Sequence, residues 1–183
     1  MDKLFFKDHP EIKKDIEALY NSAFPEDERP PFFWYYSVFK KTKDSYIIGY
    51  YQENQFIGFI QYVIYQDILY FAYLAISKQF RNQGYGTKIL QEIIDEYRDH
   101  VKILCFEEVD EKYSNYSERL KRMQLYQRIG FIDNGLKTQE GDVIYQSAYI
   151  GKHRVSFDQY IKLFDLVYSE GAHEKYLKCD KEY

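Results

Sequence analysis

The sequence predicts a single mixed α/β (α+β) domain, with a mostly antiparallel sheet that contains one parallel strand pair and is flanked by helices. Three β-rich runs, Tyr46–Tyr51, Phe56–Tyr65 and Ile68–Ile76, are joined by links so short that neighbouring strands must be antiparallel. A helical pattern then separates Ile68–Ile76 from a further β-rich run, Val101–Val109. If both strands belong to one sheet, the crossover makes them parallel.

The helices are predicted from apolar residues that recur on one face. Pro10 opens a first helix that ends before Phe24, and Pro30-Pro31 could begin a second. The second helix is aromatic almost all round, so we expect it to be covered on more than one side. Further helices are expected at Lys88–Tyr97, at Ser117–Arg128 and after the capping-box pattern Ser156 to Gln159.

The remaining segments complete one domain. Strands are predicted from Phe131 onward and at Val143–Ile150, with a turn at residues 140–142. The tail after Gly171 is polar, and we expect it to be loose. We therefore expect one domain over residues 1–183, with a motif-bearing core at about 12–150 and a C-terminal helix and tail at about 156–183.

Composition excludes several classes of partner. A net charge of −4 without a long basic run argues against nucleic acid or an anionic membrane as the main partner. Cys105 and Cys179 do not form a disulfide framework, and no run approaches the about 18 apolar residues of a membrane helix. We therefore expect a cytoplasmic protein. The four histidines lack metal-ligand spacing, so no metal site is expected.

A polar loop with two glycines, Gln79–Thr87, joins the strand Ile68–Ile76 to the next helix and is typical of an anion site. Free N–H groups in the first helical turn and the helix dipole attract negative charge there. A P-loop is excluded, because Gly86-Thr87-Lys88 has the wrong order for its ending. A dinucleotide fingerprint is excluded as well, since Ile89 stands where the third glycine is needed.

Two motifs carry a resemblance to a known family. Arg81 to Gly86 follows the pattern Arg/Gln-x-x-Gly-x-Gly/Ala, and Tyr126 to Phe131 contains Tyr-x-x-x-Gly-Phe. Together with the element order, they resemble the GNAT superfamily of N-acetyltransferases over roughly Ile12 to Ile150. The resemblance implies a sheet whose central parallel strands splay apart, and acetyl-coenzyme A as the co-substrate, with no metal.

The resemblance also implies which residues hold the coenzyme. The edge of the strand before the loop would hydrogen-bond the pantetheine arm as an added strand would. The loop amides would hold the pyrophosphate. The implied coenzyme-binding residues are Leu74, Ala75, Ile76, Arg81, Asn82, Gln83, Gly84, Tyr85, Gly86 and Thr87.

Tyr126 is the residue to which the resemblance assigns chemistry. It would act as general acid, giving a proton to the leaving thiolate. A base must also remove a proton from the substrate ammonium. Some relatives have a Glu on the strand before the loop, but this strand has none, so Glu108 or Glu107 is a tentative base, with a water chain as the alternative. Arg119 and Arg122, on the helix face of Tyr126, could bind coenzyme phosphate or a substrate carboxylate, but we expect them to be solvated.

The acceptor is expected to be a primary amine of a small molecule or peptide, attacked directly in a ternary complex. Aromatic side chains could hold it by cation–π contact, and Phe32, Trp34 and Tyr73 are tentative substrate-binding residues. A strand edge or the terminal helix could support a homodimer. The alternative function is a non-catalytic acyl-coenzyme A binding or sensing module.

Overall fold

The structure, a computed structural model, describes residues 1–26 and 29–180, apart from the side chains of residues 179 and 180. Asp27 and Glu28 of the acidic loop, the side chain of Cys179 and the last three residues of the predicted tail therefore lie outside the described residues. The strands are β1 (Asp2–Phe5), β2 (Ser45–Gln52), β3 (Gln55–Tyr65), β4 (Ile68–Ile76), β5 (Val101–Glu107), β6 (Ile132–Glu140), β7 (Val143–Ile150) and β8 (Leu177–Asp180). The helices are α1 (Lys13–Ala23), α2 (Phe32–Lys41), α3 (Tyr85–Glu96), α4 (Tyr116–Ile129), α5 (Phe157–Tyr168) and α6 (Ala172–Tyr176).

The described strands form one sheet in the order β1-β2-β3-β4-β5-β7-β6-β8. The pair β4–β5 is parallel, and the other neighbours are antiparallel. The chain returns from β4 to β5 through α3, as the crossover rule requires. The predicted fold class is confirmed.

Strand β4 contains a β-bulge. Gln61 of β3 faces Tyr73, whereas the next residue, Tyr62, faces Phe71, so Ala72 is an extra residue on β4. An extra residue leaves the ladder locally unpaired and bends the bulged strand. The bend lies just where β4 leaves its parallel neighbour.

Helices cover both faces of the sheet. On one face α1, α2 and α5 bury an aromatic-rich core that includes Tyr20, Tyr35 and Phe164. On the other face α3 contributes Ile89, Leu90 and Ile93, and Tyr126 of α4 packs at the border of that core. The capping box at the start of α5 is present, because the Ser156 side chain accepts from the Gln159 backbone N–H.

Two features differ from the expectations. Residues 2–5 form an unpredicted edge strand, and the tail predicted to be loose forms α6 and β8, which pairs with β6. Helix α2 buries Phe32, Tyr35 and Phe39, whereas Phe33 on its open side is 75% exposed. No helix among the described residues is both long and apolar enough to cross a membrane.

Candidate functional site

A cleft opens between β4 and β5. The two strands pair from Ile68–Val101 to Phe71–Leu104, and the parallel ladder stops there although both strands continue. Beyond that point β5 remains paired with β7 on its other side. The strands therefore splay at the bulge, and a cavity of about 140 Å³, called here the first cavity, lies between them.

The free edge of β4 presents backbone groups to the cleft. The Ser77 N–H donates to the Ile57 carbonyl of β3 at 2.8 Å. Because successive amides along a strand point to alternate sides, those of Leu74 and Ile76 point away from β3. The Ile76 carbonyl accepts a hydrogen bond from Arg81 Nε at 3.0 Å, which agrees with that direction. This edge can pair with an extended chain.

The glycine loop leads directly into α3, which begins at Tyr85, three residues earlier than predicted. Gly84 is the N-cap residue with φ of 82°, and Asn82 also lies in the left-handed region. No side chain caps the helix and its first turn contains no acid. The first intrahelical bond runs from the Lys88 N–H to the Gly84 carbonyl, so the preceding amides have no partner within the helix.

Gly86 lies on the side of this helical turn that faces β4. A Cβ atom there would lie 3.8 Å from Ile76 Cγ1, an ordinary packing distance, and its φ is not positive. Neither packing nor backbone conformation therefore requires glycine at this position. The absence of a side chain instead leaves the amides open to a ligand, which fits a bound phosphate group.

Tyr126 lines the first cavity from α4. Its ring packs against Phe106 and Phe131, with centroids 5.6 and 6.0 Å away. Burial raises the pKa of its phenol, Arg122 opposes that change and Glu107 adds to it. The hydroxyl therefore remains protonated at neutral pH and can serve as a proton donor.

Glu107, the last residue of β5, and Glu108, which follows it, point to different sides, as the alternation of side chains in an extended chain requires. Glu107 lines the first cavity and is 5% exposed. It forms ion pairs with Arg119, at 3.4 Å, and with Arg122. The prediction that Arg119 is solvated is wrong: the residue is 7% exposed, because the buried carboxylate needs a counter-charge.

Glu108 lies outside the first cavity. Lys112 and Lys137 contact its carboxylate at 2.9 and 3.1 Å. The hydrogen bond from Lys112 lowers the pKa of Glu108 to about 2, and Lys137 and Tyr113 act in the same direction. A carboxylate stabilised in this way is a weak proton acceptor.

Cys105 also lines the first cavity. Burial raises the pKa of its thiol to about 12. The thiolate, not the thiol, is the nucleophilic form of cysteine. The cysteine in the cleft is therefore unreactive at neutral pH.

A larger cavity of about 460 Å³, called here the second cavity, adjoins the first. Glu140, Tyr145 and Tyr168 line both cavities. The described wall of the second cavity is largely aromatic and includes Phe33 and Trp34 of α2. The two cavities are therefore neighbours that share these three side chains in their walls.

The three predicted substrate-binding residues lie in different places. Trp34 lines the second cavity and Tyr73 lines the first. Phe32 lines neither: it is 4% exposed and packs edge-on against Tyr20 at 5.5 Å. Successive helical residues point about 100° apart, so Phe33 lines the second cavity while Phe32 packs in the core.

Sequence reasoning missed the residues at the boundary between the cavities. Glu140 was predicted only as part of a turn, and Tyr145 and Tyr168 belong to no recognisable motif. They come together through the pairing of β6 with β7 and the docking of α5. Among the described residues, no group of three or more His, Cys, Asp or Glu side chains could hold a metal ion.

Comparison with known proteins agrees with this geometry. The model of the acetyltransferase (GNAT) family matches residues 11–131. No curated protein is significantly similar to the chain in sequence. Among solved structures, a protein from Bacteroides thetaiotaomicron assigned to the GNAT acetyltransferases superposes with a TM-score of 0.76 at 20% identity, over 93% of this chain and 99% of its own.

Two further neighbours show the same fold at lower identity. An aminoglycoside 6′-N-acetyltransferase in complex with coenzyme A has a TM-score of 0.64 at 13% identity and covers 85% of this chain and 98% of its own. A spermidine N-acetyltransferase from Vibrio cholerae has a TM-score of 0.62 at 15% identity, over 82% of this chain and 94% of its own. With two thirds of its length matched by the family model and its cleft in the splayed sheet, the chain belongs to the GNAT family of acetyltransferases.

Proposed function

We propose that the chain is an N-acetyltransferase that moves the acetyl group of acetyl-coenzyme A to a primary amine by direct attack in a ternary complex. The observation that carries this proposal is the splay of β4 from β5 between the uncapped start of α3 and Tyr126. Backbone donors, a protonated phenol and a second cavity all meet at this cleft.

The coenzyme supplies the activated thioester, and residues of the chain hold it. The amides of Arg81 to Thr87 at the start of α3 would bind the pyrophosphate, where the helix dipole and Arg81 favour negative charge. The edge from Leu74 to Ile76 would bind the pantetheine arm as an added strand does. Holding both reactants in one geometry supplies much of the rate enhancement.

Tyr126 is the proposed general acid, and it would give its proton to the departing sulfur. Cys105 takes no covalent part, because its thiol stays protonated. The carboxylate of Glu107 is engaged in ion pairs with Arg119 and Arg122, and Glu108 lies outside the first cavity, so we assign the role of base to neither. We propose that Glu107 instead anchors α4, and thereby Tyr126, to β5.

The proposal is tested by incubating the protein with acetyl-coenzyme A and a broad panel of amines while free thiol is recorded. Tyr126→Phe should lower kcat about 10²-fold, within the range of general acid–base catalysis, and leave coenzyme binding unchanged. Tyr116→Phe, on the same helix but outside the lining of either cavity, is the matched control. Coenzyme binding without acetylation of any amine would instead identify a non-catalytic binding module, which the lack of an acid on β4 favours.

A further inference from the structure

The second cavity has an unusual lining for a site that takes a charged substrate. Its described wall contains one carboxylate, Glu140, and one cation, Arg29, among aromatic and proline side chains. Phe33 projects from α2 at this wall, although a large aromatic side chain is normally buried. This described part of the wall therefore suits a ligand with a flat, apolar body.

The two charges of the second cavity differ in position. Glu140, at the end of β6, also lines the first cavity, whereas Arg29 does not. Arg29 is held by the Phe24 carbonyl, which accepts from its Nε at 3.0 Å, and by the ring of Tyr20, 5.5 Å from its guanidinium carbon. A cationic group of the ligand is thus attracted towards the first cavity and repelled from the part near Arg29.

The charge of Glu140 reaches the interior of the cleft. Burial raises the pKa of Tyr168 well above its usual range, and Glu140 adds to that effect. The same carboxylate contributes, after burial, to the raised pKa of Cys105 on β5. The Tyr168 hydroxyl is held in place by a 2.9 Å hydrogen bond with the Tyr73 hydroxyl on β4. Burial also raises the pKa of Tyr70 on β4, and Cys105 and Glu140 add to that effect, so Glu140 acts on groups from both splayed strands.

Resting on the proposed function, we propose that the acceptor is an amine carried on a flat apolar body, and that Glu140 binds its ammonium group and accepts its first proton. The aromatic wall holds the body of the acceptor in the second cavity, and the nitrogen lies at the boundary with the first. A charged nitrogen over aromatic faces gains cation–π energy before it loses its proton.

The reaction then balances as follows. The ammonium gives one proton to Glu140, which passes it to water, and the neutral nitrogen forms a C–N bond with the acetyl carbon. The C–S bond breaks, and the sulfur receives a proton from Tyr126. The second proton lost by the nitrogen replaces the one that Tyr126 gave. The products are the amide, free coenzyme A and one proton released to solvent.

The test compares Glu140→Gln with the wild type on two acceptors that share one body. 2-Phenylethylamine is an ammonium ion at pH 7, whereas O-benzylhydroxylamine, which has the same chain length with an oxygen beside the nitrogen, is a much weaker base and is neutral. Glu140→Gln should lower kcat/KM for the amine by about 10²- to 10⁴-fold, and much less for O-benzylhydroxylamine, because no ammonium proton has to be removed. A merely structural role would lower both alike.

Two further variants complete the design. Asp142→Asn removes an exposed acid from the same β6–β7 turn and should leave both acceptors unaffected. Phe33→Ala changes an exposed position, so folding is retained, and should raise KM for 2-phenylethylamine about 10-fold through lost apolar contact with the body of the acceptor, on the order of 1.5 kcal/mol. Coenzyme binding is measured for every variant.

The outcomes separate this inference from the function it rests on. A wild type that acetylates no amine overturns the proposed function, and this assignment with it. If the wild type acetylates spermidine or an aminoglycoside in preference to 2-phenylethylamine, the proposed N-acetyltransferase activity is supported and the proposed acceptor class is wrong. An equal loss on 2-phenylethylamine and O-benzylhydroxylamine, or no loss, in Glu140→Gln overturns the role of Glu140.

Discussion

Backbone groups form one side of the cleft, whereas side chains form the other. On the proposed coenzyme side, the edge of β4 and the first turn of α3 present backbone N–H and C=O groups, and Gly86 keeps that surface bare. On the proposed acceptor side, side chains from α2, β6, β7 and α5 converge around the second cavity. Backbone groups are the same for any sequence, so the first side suits a ligand shared by a whole family. The second side can change residue by residue without disturbing the first.

Gly86→Glu should weaken coenzyme binding, and its effect should be the largest of the changes considered. The new carboxylate would occupy the anion site and repel phosphate, and the loss of two charge-assisted hydrogen bonds at about 1.5–3 kcal/mol each predicts a 10²- to 10⁴-fold weaker coenzyme Kd. The fold should not suffer, because Glu favours a helical N-terminus and replaces a poor helix former. Calorimetric titration and thermal unfolding measure the two effects.

The matched control is Gln91→Glu, which adds the same charge to an exposed position of α3 beyond the first turn. It should leave coenzyme affinity within about twofold, because surface charges beyond the first helical turn are screened. If Gly86→Glu bound the coenzyme as tightly as this control, the phosphates would have to lie elsewhere.

Glu107→Gln should remove the ion pairs that are proposed to anchor α4, and thereby Tyr126, to β5. Removing one partner of a buried ion pair leaves Arg119 without its counter-charge, so the free energy of unfolding should fall by about 3 kcal/mol. Urea denaturation measures this loss. Activity should fall with it, whereas coenzyme affinity under native conditions should change little, because the backbone side is intact. An unchanged unfolding midpoint would show that α4 is anchored by other contacts.

Glu108→Gln is the neighbouring change outside the cleft and should have the smallest effect. Its cations are about half exposed, so solvent screening limits the loss to about 1 kcal/mol at pH 7. The pKa of Glu108 in the folded protein, about 2, lies below its usual 4.5, so its contribution is present above pH 4.5 and is lost as the pH falls towards 2. Variant and wild type should therefore differ in stability at pH 7 and converge near pH 2; a constant difference would contradict this assignment.

The same contrast explains what could be predicted from the sequence. The loop Gln79–Thr87 and the strand before it are encoded locally, by glycines and by alternation, and both lie at the cleft. Glu140 and Tyr168 meet only through tertiary packing, so no spacing in the sequence relates them. The short edge strand β1 was missed because four residues carry little pattern of their own, and β1 is held by pairing with β2.

The bulge at Ala72 has a consequence for how this cleft can be lost. Before it, side chains of β4 alternate regularly between the two cores, with Tyr70 towards α5 and Phe71 towards α3. Ala72 and Tyr73 then both face the same core, so the alternation resumes one step out of phase. The orientation of every later residue of β4 depends on the number of residues in the strand and not on which residues they are. A point substitution at Ala72 keeps the number of residues in β4, so the later side chains keep their orientation. Deletion of one residue would turn each later side chain to the opposite face of the sheet. The cleft therefore tolerates substitution at this position but not a change in the length of the strand.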